Sequence, residues 1–216
     1  MFYVIAAALL PVLLLALYIY KIDDEQPEPK AWLWKAVLFG ALSALLDLII
    51  LSPLPKPTDL VPGSEGTPLG GILTAFLSAG IPEEACKMFM LMLLIRKNPY
   101  FDDKMDGIVY ASYVGLGFAG LENILYLVNN LNNFASVAIS RAIFAIPGHF
   151  FFGVIMGYFV SLAFFASRTG AARTKYLVLA YLVPMVCHGI YEFIWNKFCD
   201  WYLESCKSVF FDEKLD

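Results

Sequence analysis

Glu83 and Glu84 stand side by side in the stretch GIPEEACK, and Lys87 follows one helical turn later. The flanking stretches LGGILTAFLSA and MFMLMLLI are almost wholly apolar. Further along come Glu122 and Asn123 in GLGFAGLEN, His149 in IPGHFFF, and His188 with Glu192 in CHGIYEF. The chain has only these two histidines, and neither sits in a polar loop. A buried carboxylate pair does not readily carry two charges. Lys87, four residues after Glu83, has the favourable order for a helical ion pair and would hold one of the two charged. A carboxylate in a wet cavity is a general base for water. A histidine can orient that water or donate to a developing oxyanion, and Asn123 is a second, neutral donor. Glutamate, histidine and asparagine together form a peptide-hydrolysis set without a covalent nucleophile. The sequence carries no GxSxG, no aspartyl pair of the GxGD kind and no HExxH. The set is expected to need no cofactor; zinc held by Glu83, His149 and His188 is the alternative.

The elements that position these groups are apolar helices. The chain has 216 residues, 60% hydrophobic and 16% charged, against roughly 25% charged in a soluble domain. Its mean hydropathy is +0.68. A spanning helix needs about 20 mostly apolar residues. Six such spans are expected, near 2–20, 33–52, 70–95, 107–128, 148–167 and 176–196. The fold class is therefore all-α, a polytopic membrane helix bundle forming one unit over 1–216. The shorter apolar segment 134–146 reads as a lead-in helix or a re-entrant piece, broken from the fifth span at Pro147 and Gly148. Pro82 interrupts the backbone ladder just before the glutamates. Phe118 and Glu122 share a helix face, as do His188 and Glu192, each pair being four residues apart. Gly115, Gly117, Ala119 and Gly120 permit close approach of another helix.

Lys21 and Lys30, then Arg96, Lys97 and Lys104, then Arg168, Arg173 and Lys175 concentrate positive charge in three short loops. The positive-inside rule places these in the cytoplasm and both termini outside. An ionisable residue inside a span costs ~2.5–3.5 kcal/mol on insertion scales and faces a bundle interior or a wet cavity. By helical rise, Glu83 lies about 20 Å, Glu122 ~9 Å and His188 ~12 Å from the outer ends of their spans. One polar chamber open to the outer face can hold them. Asp47 in the second span reads as a partner to a charged neighbour. Arg141 reads first as an interface anchor and second as a supporting site residue.

The first apolar run lacks a basic leader and a small-residue cleavage site, so it reads as a retained helix. The net charge of −4, with no basic block, argues against nucleic acid as a partner. Cys86 and Cys187 read as small packing residues. Cys199 and Cys206, in the tail 197–216, are too far apart on one straight helix to bridge, but a hairpin would permit a disulfide.

The motifs carry a resemblance. EEACK reads as EExxK and FAGLEN as FxxxEN, and RAIFAIPGHFFFGVIMGYF and CHGIYEF look like two histidine-bearing helices. In this order, over about residues 70–196, they resemble the PrsW family of intramembrane proteases. That family is similar to the wider CAAX-protease and bacteriocin-processing group. The resemblance implies a bacterial plasma-membrane endopeptidase working among lipid. Its substrate would be a single-span membrane protein, an anti-sigma factor, cut near the extracytoplasmic face as the first step in releasing a sigma factor. It implies catalytic roles for Glu83, Glu84, Glu122, Asn123, His149 and His188, with Lys87, Phe118, Glu192 and Arg141 in support. The chain departs from the wider group in having Glu122 where that group's motif has histidine. Glu192 stands where that group offers Asn or Asp. Two other classes compete: a non-catalytic membrane scaffold, and an ion-coupled transporter with a buried carboxylate site, for which the sequence shows no repeat between halves.

Overall fold

A computed structural model describes residues 2–24 and 26–210, with side chains described for 3–24 and 26–195. Among these residues all regular structure is helical. In chain order the α-helices are α1 (Phe2–Ile22), α2 (Lys30–Leu51), α3 (Pro68–Ala75), α4 (Ile81–Ile95), α5 (Lys104–Asn129), α6 (Phe134–Ser140), α7 (Ile146–Ser161) and α8 (Gly170–Phe210). Five helical runs are long and apolar enough to cross a membrane: Tyr3–Ile22, Lys30–Leu51, Lys104–Asn129, Leu131–Ala166 and Gly170–Trp195. The run Pro68–Ile95 is about 42 Å if straight, also of crossing length, and is set apart by Glu83, Glu84 and Lys87. The six-span bundle expected from hydropathy is present. Its outer surface is rich in exposed leucine, isoleucine and aromatic side chains, such as Leu14, Trp34, Ile49, Phe89, Ile143 and Ile194. That surface suits a hydrocarbon solvent rather than water.

The bundle is built around α5. In its most apolar window 72% of residues are buried, against 22% in α1 and in α8. It packs against α7, α2 and α1. Tyr110, Val114, Leu116 and Ala119 join Leu91 and Leu94 of α4, Ala36 of α2, and Ile146 and Met156 of α7 in the main core. The α2–α5 crossing depends on missing side chains. A Cβ on Gly117 would stand 2.1 Å from the Val37 carbonyl oxygen, and one on Gly40 2.1 Å from that of Val114. Helix backbones approach this closely only over small residues.

Two of the helices that enter the site, α4 and α7, do so through the same device. A wide turn, Phe76–Gly80, joins α3 to α4, and the Ile81 N–H reaches back five residues to the Phe76 carbonyl. Another, Arg141–Ala145, joins α6 to α7, and the Ile146 N–H bonds to the Arg141 carbonyl. A proline follows each turn at once, Pro82 and Pro147, in the first turn of the new helix. There the absent N–H and the bulk of the ring are tolerated. This corrects one expectation. Pro147 and Gly148 do not break the fifth span, because the wide turn absorbs the proline and Leu131–Ala166 runs through. Segment 134–146 is the outer part of that span and not a re-entrant piece. The sixth span is also longer than expected, since α8 begins at Gly170 and its backbone continues to Phe210. The cysteine pair Cys199 and Cys206 lies outside the residues whose side chains are described.

Candidate active site

The wide turn before Pro82 places Glu83 and Glu84 in the first turn of α4, both buried. Lys87 Nζ lies 2.8 Å from Glu84 Oε1 and 3.3 Å from Glu83 Oε2. It also stands 3.0 Å from His149 Nδ1 on α7 and 4.0 Å from the ring centre of Phe118 on α5. Four groups from three helices thus surround one ammonium that is 2% exposed. A buried charge needs such partners, because desolvation costs several kcal/mol per ion.

His188 of α8 adds a fourth helix. Its Nδ1 is 2.9 Å from Glu84 Oε1, and its Nε2 is 3.9 Å from Glu83 Oε2, beyond direct hydrogen-bond reach. Phe152 stacks on its ring at 4.8 Å. Nδ1–H donates to Glu84, and the other ring nitrogen faces Glu83, so the ring stands between the two carboxylates. His149 is held in the same manner. Lys87 donates to its Nδ1, so its Nε2–H donates to Glu122 Oε2 at 3.0 Å. Each imidazole therefore has a carboxylate behind it, the arrangement that fixes the orientation of histidines at hydrolytic and metal sites.

Arg141 completes the outer side. Its Nη2 is 2.5 Å from Glu122 Oε2, its Nε donates to Asn123 Oδ1 at 2.8 Å, and its guanidinium lies 3.9 Å from the Tyr126 ring centre. The side chain of Arg141 thus turns into the cluster. Asn123 departs from its expected role. Its Oδ1 accepts from Arg141, its Nδ2 donates to the Ala8 carbonyl at 3.0 Å, and no part of it is exposed. The amide ties α1 and the turn before α7 to α5 and does not line the cavity beside the cluster. Glu192 lies on the outer side of Arg141 and Tyr126. It lines a separate cavity of about 240 Å³ with Tyr126, Arg141, Tyr191 and Trp195.

A larger cavity of about 500 Å³ opens beside the cluster, between α2, the turn before α4, and α5. Asp47, Ser78, Glu83, Phe118 and Glu122 line it, with Leu51 and Asn129 near the helix ends that the charge distribution assigns to the exterior. Of the two adjacent glutamates, only Glu83 faces this space. Glu84 is fully buried with Oε1 shared between Lys87 and His188.

The donors also converge as metal ligands do. Glu83, His149 and His188 each offer one ligand atom, all within 4.8 Å of one another. Two histidines and a glutamate are a known ligand set for catalytic zinc, whose ligand atoms stand roughly 3.3 Å apart around one ion. The donor types fit, and each imidazole has its carboxylate. The Lys87 ammonium stands beside two of those donors, 3.3 Å from Glu83 Oε2 and 3.0 Å from His149 Nδ1.

Sequence reasoning singles out every ionisable group of the cluster, and misses Ser78, Tyr126 and Phe152, whose residue types are ordinary in apolar helices. The sequence marks Asp47 as a charge partner and not as part of the cavity; the signal that places it there is depth, about 6 Å below the outer end of α2 and so in the same outer half of the bundle as Glu122.

The model of the PrsW family intramembrane metalloprotease matches residues 28–211. The chain is 35% identical over 201 residues to Protease PrsW of Bacillus subtilis (strain 168), covering 93% of this chain and 86% of that protein. It is 36% identical over 194 residues to Protease PrsW of Geobacillus kaustophilus (strain HTA426), covering 90% and 80%. With Protease PrsW of Oceanobacillus iheyensis it shares 37% identity over 195 residues, covering 90% and 84%. No solved structure matches. A multi-pass apolar bundle, the EExxK and FxxxEN signatures on its inner helices and these full-length similarities lead to one assignment: the chain belongs to the PrsW family of intramembrane proteases.

Proposed function

We propose that the chain cuts a single-span membrane protein near the extracytoplasmic face, using a water activated by Glu83. The observation that carries this reading is the division of labour between the adjacent glutamates. A general base must reach both water and the scissile carbonyl. Glu83 lines the cavity, while Glu84 is enclosed and spent on Lys87 and His188. Glu83 takes a proton from water, the resulting hydroxide attacks the carbonyl carbon, and the same proton passes to the departing amide nitrogen. Lys87, whose three N–H groups are taken by Glu83, Glu84 and His149, supplies a positive field to the developing oxyanion, and not a hydrogen bond, in place of Asn123. Glu84 keeps His188 in place, and Glu122 does the same for His149. Family membership supports an anti-sigma factor as the substrate class.

The convergence of Glu83, His149 and His188 favours a second reading, in keeping with the metalloprotease description of the family. Those residues would hold a zinc-type ion, which when bound supplies a Lewis acid for water and carbonyl. Glu84 and Glu122 then orient the two imidazoles from behind, and Lys87 withdraws from the donors.

The test is co-expression of a tagged single-span anti-sigma factor with the wild type, Glu83→Gln and His188→Ala, each checked for folded yield. The expected result is a new fragment with the wild type only, unchanged by a zinc chelator. Loss with chelator, restored by zinc, replaces the first reading with the second. Cleavage that survives both substitutions overturns both.

A further inference from the structure

Three carboxylates line the main cavity: Asp47, Glu83 and Glu122. Glu83 is paired with Lys87, and Glu122 with Arg141 and His149. Asp47 forms no ion pair among the described residues. It is 5% exposed, and its Oδ1 is buried without any hydrogen-bond partner. A buried carboxylate left incomplete works against the fold, more so among apolar helices. Its position is nevertheless fixed. The close α2–α5 crossing at Gly40 and Gly117 lies two helical turns below it and anchors α2 against the site.

The substrate offers what Asp47 lacks. In a membrane helix every main-chain N–H is already bonded, and a scissile carbonyl becomes accessible only where the helix opens. Opening frees N–H donors at membrane depth, and these need acceptors that lipid cannot supply. We infer that Asp47 is a substrate-binding residue whose carboxylate accepts a main-chain N–H of the unwound segment beside the bond that Glu83 attacks. This rests on the protease reading above and adds a binding group to it. Asp47 does not take part in proton transfer. Its contribution is to hold the opened strand across the cavity.

Two substitutions separate this role from a structural one. Asp47→Leu removes the acceptor while keeping the branched shape, and Asp47→Asn keeps an acceptor oxygen without the charge. Initial rates are measured with detergent-purified enzyme and the tagged single-span anti-sigma factor, with thermal unfolding in parallel. Asp47→Leu is expected to raise KM roughly tenfold, the size of one lost hydrogen bond, with kcat little changed and a melting temperature no lower than wild type. Asp47→Asn restores KM to near the wild-type value. An unchanged KM in the leucine variant overturns the inference, as does a fall in its melting temperature. A failure of asparagine to restore KM overturns it too, and assigns the partner to a basic side chain instead. If the wild type itself cuts nothing, the protease reading falls and this inference with it.

Discussion

Two neighbouring residues of identical chemistry do different work here, and the difference comes from where a helix turn aims them. Glu84 is a keystone for two other buried polar groups, Lys87 and His188. Removing one member of a buried ion pair costs ~3–5 kcal/mol, because the remaining charge stays buried alone. Glu84→Ala is therefore expected to lower stability by about that much and to reduce the folded yield. Glu83 lines the cavity and Lys87 retains Glu84 without it, so Glu83→Ala should cost less than half as much stability while abolishing cleavage. Thermal unfolding of the two variants in the same detergent checks this; equal losses would contradict the division of labour. Both glutamates and both histidines were legible in the sequence, since ionisable groups in apolar runs have few innocent explanations. The fate of Asn123 was not. Its amide is consumed by the Ala8 carbonyl, 115 residues away in the chain. No local pattern records which helix will lie across another.

At the scale of elements, the two wide turns decide which side chains meet. On an unbroken α-helix, Arg141 and His149 would point about 80° apart, eight residues at 100° each. The extra residue held in the wide turn removes roughly 100° of that, leaving them nearly in line. Both then reach Glu122. The sequence suggests a break at Pro147 and gives Arg141 only a second reading as a supporting residue, because a proline looks the same whether it ends a helix or follows a wide turn. The first wide turn brings α4 against α8 at Gly80, where a Cβ would stand 2.8 Å from the Met185 carbonyl oxygen. Gly80→Val must push α8 away, and His188 with it. Cleavage is expected to fall at least tenfold, with the Glu84–His188 hydrogen bond lost. Gly170→Ala, where a Cβ meets nothing within 4 Å, is the control and should leave activity unchanged. Equal behaviour of the two variants would show that the α4–α8 contact does not set the site.

At the scale of the whole molecule, the bundle has a second buried polar centre at the opposite end. Glu28, in the loop after α1, accepts from the Tyr110 hydroxyl on α5, and its N–H donates to Asp23 Oδ2 at 3.3 Å. Burial pushes the Glu28 carboxyl from an ordinary 4.5 up to about 8, against the Tyr110 hydrogen bond that pulls it down. Between those values the folded protein holds a proton that the unfolded chain releases. Stability is accordingly greatest below pH 4.5 as far as this group is concerned, and its contribution is lost as pH rises through 8. Glu28→Gln should flatten that part of the pH profile of the melting temperature. An identical slope in wild type and variant would show that Glu28 is ionised in the fold. The all-helical, multi-span architecture was readable from hydropathy alone, because lipid leaves helices as the economical choice for each apolar run. The pairing of loop and helix around Glu28 was not readable. It depends on the α1–α2 hairpin closing over α5, and the loop's acidic composition looks like ordinary solvated surface.

The account stands most directly on Glu83. With purified enzyme and a tagged single-span anti-sigma factor, the decisive measurement is kcat for Glu83→Gln against wild type, at matched folded yield. Loss of a general base predicts a fall of roughly 10²–10⁴-fold with KM little changed. A Glu83→Gln enzyme that keeps kcat within a few-fold of wild type would contradict the claim that this side chain activates the water.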